Sequence, residues 1–201
     1  MKKFFFALCL TLLAMPVLRA QDITPAERTK AIKYLEQTRA GVLAATKGLS
    51  EAQWNFKPAT NKWSVAEVAE HIAAAEDLLR DLVKDKVMNS PGRTNTEDVV
   101  ALDNLVLQQV VDRSHKVQAP EPLKPTNRFG SPQESLNHFQ ASRARTVAFL
   151  EEAKGLRAHA MESPMGKQLD AYEWVLLLAA HSERHTKQII EVKDDPAFPK
   201  K

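Results

Sequence analysis

The chain has 201 residues, a formal net charge of +3 and a single cysteine. Residues 1–20 carry Lys2, Lys3 and Arg19 and no acid, so the remainder is electrically neutral. A neutral chain with no basic run interleaved with aromatics has no bulk attraction for phosphate backbones, which argues against nucleic-acid binding. Cys9 is the only thiol and lies within residues 1–20, so the rest of the chain has no disulfide, thiolate ligand or cysteine nucleophile.

The start of the chain, "MKKFFFALCLTLLAMPVLRA", reads as a secretory signal. Two lysines precede an apolar run from Phe4 to about Val17, and Ala20 ends a small-residue cleavage site before Gln21. The run is short for a membrane span, and Cys9 sits inside it rather than at its end, where a lipidated cysteine would lie. Export to the periplasm or medium is therefore expected, with residues 21–201 forming one domain and making no stable membrane insertion after cleavage. About 180 residues suffice for a single core, and no internal repeat argues for more.

Helix signals dominate residues 21–201. Thr24, Pro25 and Glu27 make a capped start, with Ile32, Leu35, Val42 and Leu43 as an apolar stripe and Gly48 as a stop. A short helical start at Ser50 leads into turn chemistry at Pro58 and Asn61. The stretch "SVAE" then opens a second core helix, with Ser64 as cap, Glu67 reaching back and Trp63 packing on Val68 as a staple. An accessory helix is expected within residues 94–114, followed by a proline-bearing loop long enough to cover one end of a bundle. Ser131, Pro132 and Glu134 start the third core helix, with Leu136, Val147 and Leu150 inward. The last begins near Asp170, carries Trp174, Leu177 and Leu178 toward the core and stops before Pro196. No segment shows strand alternation with hairpin turns. The pattern predicts an all-α four-helix bundle with core helices over residues 25–47, 65–88, 132–153 and 171–193.

The last helix contains "AAHSERHTKQ", with His181 and His185 four residues apart. At that spacing the β-carbons lie about 5–6 Å apart and both rings can turn to one point. The second core helix adds His71 among small apolar residues in "AEHIAAAE". Read alone, the pair is better explained as two histidines on one side of an amphipathic helix and His71 as a satisfied buried histidine, and spacing does not show that the two helices face each other. Three imidazoles would suit zinc, nickel, iron or copper and leave a position open for water or substrate. His115, His138 and His159 read as surface residues.

The stretches "LSEAQWNFKPATNKWSVAEVAEHIAAAE", "APEPLKPTNRFGSPQESLNHFQASRARTVAFL" and "AAHSERHTKQI" resemble the DinB superfamily of metal-dependent enzymes, also called DinB/YfiT-like. In that family a histidine follows a "WSxxE" helix start and two more lie in "HxxRHxxQI", forming a three-histidine site inside a four-helix bundle. The resemblance assigns those roles to His71, His181 and His185 and implies a divalent metal ion, zinc or nickel foremost, and a homodimer.

Other residues carry two readings. Glu67 is placed for a general base one turn before His71, but the capping box accounts for it. Glu70 and Glu76 read as solvated or as distant supports of the site. Arg143 falls on the inward stripe of the third helix, where it needs an acidic partner, an anionic ligand or a path for its head to water. Gln188 follows the family pattern and suits orientation of a ligating ring or contact with substrate, while Arg184 reads as a surface pair.

The resulting expectation is a metal-dependent hydrolase acting on a small molecule. A metal- or ligand-binding bundle without catalysis and a metal-dependent thiol S-transferase are the alternatives; export disfavours the second, whose thiols are cytoplasmic reagents. If the triad is real, His71 lies opposite the turn between His181 and His185, the open position faces a cavity, and residues 114–131 form its rim as a lid.

Overall fold

Each long helix starts at a polar cap that the sequence marks. The computed structural model describes residues 22–94 and 97–200, so the expected signal at 1–20 lies outside the described residues. The elements are α1 (Pro25–Thr46), α2 (Glu51–Asn55), α3 (Val65–Asp85), α4 (Val99–Val111), α5 (Pro132–Glu152), β1 (Ala160–Glu162), β2 (Gln168–Asp170) and α6 (Ala171–Lys193). Thr24, Ser64 and Asp170 accept the amide three residues on, and Glu27, Glu67 and Glu173 return a bond to the cap amide. Ser131 accepts from the Glu134 amide at the start of α5. Gly48, at φ 67°, turns the chain out of α1 in a conformation that costs residues with a β-carbon strain.

Helices α1, α3, α5 and α6 form the four-helix bundle, with α6 against α1 and α3, and α5 closing the other side against the same two helices. The accessory helix α4 lies on the outer side of α6. This explains why every residue from Ala171 to Ala180 is buried. The run "AYEWVLLLAA" has no broad polar face, and a helix surrounded on all sides needs none. Helix α3 ends earlier than the expected residue 88, at Asp85, and passes into a 3-10 turn at Val87–Asn89.

Among the described residues, β1 and β2 form a small antiparallel hairpin that the sequence pattern does not reveal, pairing Ala160 with Asp170 and Glu162 with Gln168. Three-residue strands are too short to display a period of two. The hairpin buries Leu169 and delivers Asp170 as the cap of α6. It is held down by ions. Arg157 reaches Glu27, Asp103 and Asp170, and Arg93 reaches Asp170 and Glu173. No helix of the described residues is long and apolar enough to cross a membrane.

Candidate metal centre

Small residues let α3 approach α6 closely: Ala69, Ala73, Ala74 and Ala75 are buried on either side of His71. Across from it, α6 presents His181 and His185 one turn apart. The His71 Nε2 lies 3.2 Å from His181 Nε2 and 3.2 Å from His185 Nε2. One donor atom from each ring falls within 4.8 Å of the other two. Nitrogens bound tetrahedrally at about 2.0–2.1 Å from one ion would lie about 3.3 Å apart, so these rings need little rotation to share one. The expected position of His71, opposite the turn between the other two, is the one observed. Trp63 packs against His71 with ring centroids 4.9 Å apart, so the residue that precedes the α3 cap also walls the site.

Hydrogen bonds settle which nitrogens carry protons. His71 Nδ1 is 2.8 Å from the Leu123 carbonyl oxygen, which can only accept, so Nδ1 holds the hydrogen. His185 Nδ1 is 2.8 Å from Gln188 Oε1. The same oxygen is 3.4 Å from Arg113 Nη1, and an arginine can only donate, which fixes the orientation of the amide. Both Nε2 atoms are therefore bare. Burial drives the pKa of His71 down, holds that of His185 down to about 3 with help from His71, and pushes His181 well below the usual range. At neutral pH the rings of His71 and His185 thus turn lone pairs toward each other, an arrangement that a cation between them satisfies. Imidazoles whose second nitrogen donates to a fixed oxygen are also the form in which histidine binds metals. The donor set fits a divalent ion.

The other residues singled out in the sequence take different places. Gln188 fixes the His185 ring by accepting from its Nδ1. Glu67 stays in its capping box and pairs with Lys57 at 2.8 Å, without bonding a histidine of the triad. Arg143 is fully buried and binds neither a histidine nor open solvent. It donates to both oxygens of Glu76 at 2.8 Å, to Thr38 Oγ1 and Ser182 Oγ at 2.8 Å, and to the Leu35 carbonyl. Glu76 is therefore a core residue rather than a solvated one. Glu70 is buried too, accepting the amides of Thr126, Asn127 and Arg128 and so pinning the loop before α5. Arg184 makes no surface ion pair among the described residues; its guanidinium binds the carbonyls of Val110, Asp112 and His115. His138 pairs with Asp77, His159 with the Ser90 carbonyl and His115 with Ser114, all away from the triad.

The segment expected to act as a lid is a support instead. Arg184 ties its beginning, Glu70 its end, and the 3-10 turn at Glu121–Leu123 brings the Leu123 carbonyl to His71. Two surface cavities, of about 410 and 540 Å³, are lined by Tyr34, Leu107 and Leu176 and by Ser64, Glu67 and Thr126, respectively. Neither is lined by a triad histidine. The side of the triad that meets solvent is His181, which is half-buried while its two partners are buried. Neither Leu123 nor Arg113 could be found by spacing, because both lie outside the long helices and far away in sequence.

The family model described as the DinB superfamily matches residues 34–189, a span that holds all three histidines. The chain belongs to the DinB superfamily. A curated relative, the uncharacterized protein YuaE of Bacillus subtilis (strain 168), is 26% identical over 151 residues, covering 74% of this chain and 88% of its own. Among solved structures this DinB protein is similar to YfiT from Bacillus subtilis, with a TM-score of 0.59 and 17% identity over 88% of this chain and 91% of that one. YfiT is described as a probable metal-dependent hydrolase with an unusual four-helix bundle topology. At that identity the likeness speaks for the fold, which is the bundle described above.

Proposed function

We propose that this DinB protein is an exported metal-dependent hydrolase that holds one divalent ion, zinc or nickel, on His71, His181 and His185. The observation that carries the reading is the approach of two bare Nε2 atoms at 3.2 Å, with a third nitrogen at the same distance from His71. The description of YfiT supports the reaction class, and the lysine-led apolar run of residues 1–20 supports export. A divalent ion supplies Lewis acidity and lowers the pKa of water. The chain supplies the rest. The Leu123 carbonyl and Gln188 hold two rings in the tautomer that binds, and Trp63 packs against one flank of His71.

A second reading, a metal-binding bundle without catalysis, has one observation in its favour. Among the described residues no carboxylate hydrogen-bonds a triad histidine, and acid–base work needs a proton-transfer group within reach. The two are separated by loading the purified protein with zinc and assaying ester, amide and phosphoester hydrolysis. Turnover that disappears with chelator and in His181→Ala supports the hydrolase; one bound ion with no turnover across the panel supports the binding protein. Export is tested by N-terminal sequencing, with Gln21 as the expected first residue, and the proposed homodimer by sedimentation.

A further inference from the structure

Glu70 and His71 are neighbours on α3, and both take hold of the loop before α5. His71 Nδ1 donates to the Leu123 carbonyl at 2.8 Å. Glu70, buried, accepts three successive amides: Thr126 at 2.7 Å and Arg128 at 3.1 Å on Oε1, and Asn127 at 2.8 Å on Oε2. Asn127 stands at φ 60°, in the left-handed region that asparagine tolerates, and a residue so placed turns consecutive amides into a concave nest for one anion. Here a carboxylate of the chain itself fills the nest.

Arg128 links the two grips. It lies at the surface, and its guanidinium gives Nε to Glu70 Oε1 at 3.2 Å, Nη1 to the Pro122 carbonyl at 2.8 Å and Nη2 to the Lys124 carbonyl at 2.6 Å. Those two carbonyls flank that of Leu123, and a planar fork with fixed N–H directions sets where they stand. The Leu123 amide is tied back to the Pro120 carbonyl at 2.9 Å, and its side chain is buried against Ala74 and Ala75 of α3. The Leu123 carbonyl is thereby fixed from both sides where His71 Nδ1 meets it. Which nitrogen of an imidazole carries the hydrogen is set by the bond the other makes, so the aim of this carbonyl decides whether Nε2 turns a lone pair toward His185.

We propose that Arg128, anchored by Glu70, is a positioning residue for the metal centre: it fixes the Leu123 carbonyl, and through it keeps the hydrogen on His71 Nδ1 and leaves Nε2 bare. The use made of that lone pair rests on the metal reading; the tautomer does not. Arg128 also carries a positive charge that is felt at His71. Removing that charge would by itself favour a metal ion at the triad, so a loss of affinity in a neutral variant reports position and not charge.

The test is Arg128→Met, which keeps the stem and removes the donors from a surface position. Long-range proton–nitrogen NMR correlations of the histidine rings in metal-free protein, at about pH 8 where neutral imidazoles dominate, read the tautomers directly. His71 is expected as the single Nδ1–H form in the natural chain and as a mixture of both forms in R128M, while His185, held by Gln188, stays as it is. Zinc affinity should fall about three- to tenfold, less than the roughly 10- to 100-fold typical of losing a direct partner of a ligating ring. Glu70→Gln, which sets an amide donor against the loop amides, should move both readouts the same way. A His71 ring that keeps one tautomer in R128M, a His185 ring that loses its own alongside, or zinc binding as tight as in the natural chain would overturn the role. A natural chain that binds no zinc removes the metal reading instead, and the His71 tautomer still decides what Arg128 does.

Discussion

Around Arg143 every donor meets an acceptor, whereas next to Ser182, which Arg143 binds, the helix carries His181 and a cluster built the other way. Arg143 spreads its hydrogens over Glu76, Thr38, Ser182 and the Leu35 carbonyl, and Glu76 also accepts from Thr146 at 2.7 Å. At the triad, His71 and His185 bring two lone pairs together at 3.2 Å. Buried polar groups persist when they are paired, so the first cluster is complete as it stands and the second becomes complete with a cation. The difference separates a polar cluster that holds the bundle together from one that the bundle holds in readiness. The first also serves the second, because Ser182 bonded to Arg143 fixes the rotation of α6 that presents His181 and His185.

The largest effect should come from breaking the complete cluster. Arg143→Ala strands the Glu76 carboxylate in the core and should cost about 3–5 kcal/mol in urea unfolding of metal-free protein. His181→Ala takes a ring from the incomplete cluster and should cost under about 2 kcal/mol in the same assay. Equal costs for the two would erase the distinction. The supports of the triad come next. Gln188→Ala frees the His185 ring to rotate and should lower zinc affinity about 10- to 100-fold in a competition titration, with the fold intact by circular dichroism.

Burial of the imidazoles should produce a pH effect of intermediate size. His185 is held down to about 3 from the usual 6.5, so near pH 5 the unfolded chain binds a proton that the fold does not. Stability from this ring is fully present above about 6.5 and declines as pH falls toward 3. His71 and His181 shift in the same direction. Unfolding free energies of metal-free protein at about pH 7 and about pH 5 should show the decline, and His185→Gln should flatten it. The smallest effect concerns Glu67. Removing it with Glu67→Ala forfeits a helix cap worth about 1 kcal/mol and should leave zinc affinity unchanged, a result that a direct role at the metal would not allow.

The bundle was legible in the sequence because its signals are local. Capping pairs such as Ser64 with Glu67 act within one turn, and the apolar run of α6 announces its own burial. The hairpin escaped because three-residue strands have no period to read. For the site, the family resemblance named the three histidines, but the sequence left Arg143 between two readings and read Glu70 and Glu76 as solvated or as distant supports of the site. Those acids are buried because their partners, Arg143 and the amides of residues 126–128, arrive from segments more than fifty positions away, and no local pattern records such a meeting. Leu123 contributes a backbone carbonyl, which leaves no trace in side-chain identity at all.

Whether the convergence of His71, His181 and His185 is a metal site is tested most directly by metal content after exhaustive dialysis of the natural chain, His181→Ala and His138→Ala, all loaded with zinc under the same conditions. One ion per chain is expected in the natural protein and in His138→Ala, whose histidine pairs with Asp77 away from the triad, with a large loss in His181→Ala. Equal metal content in the two variants would refute the assignment.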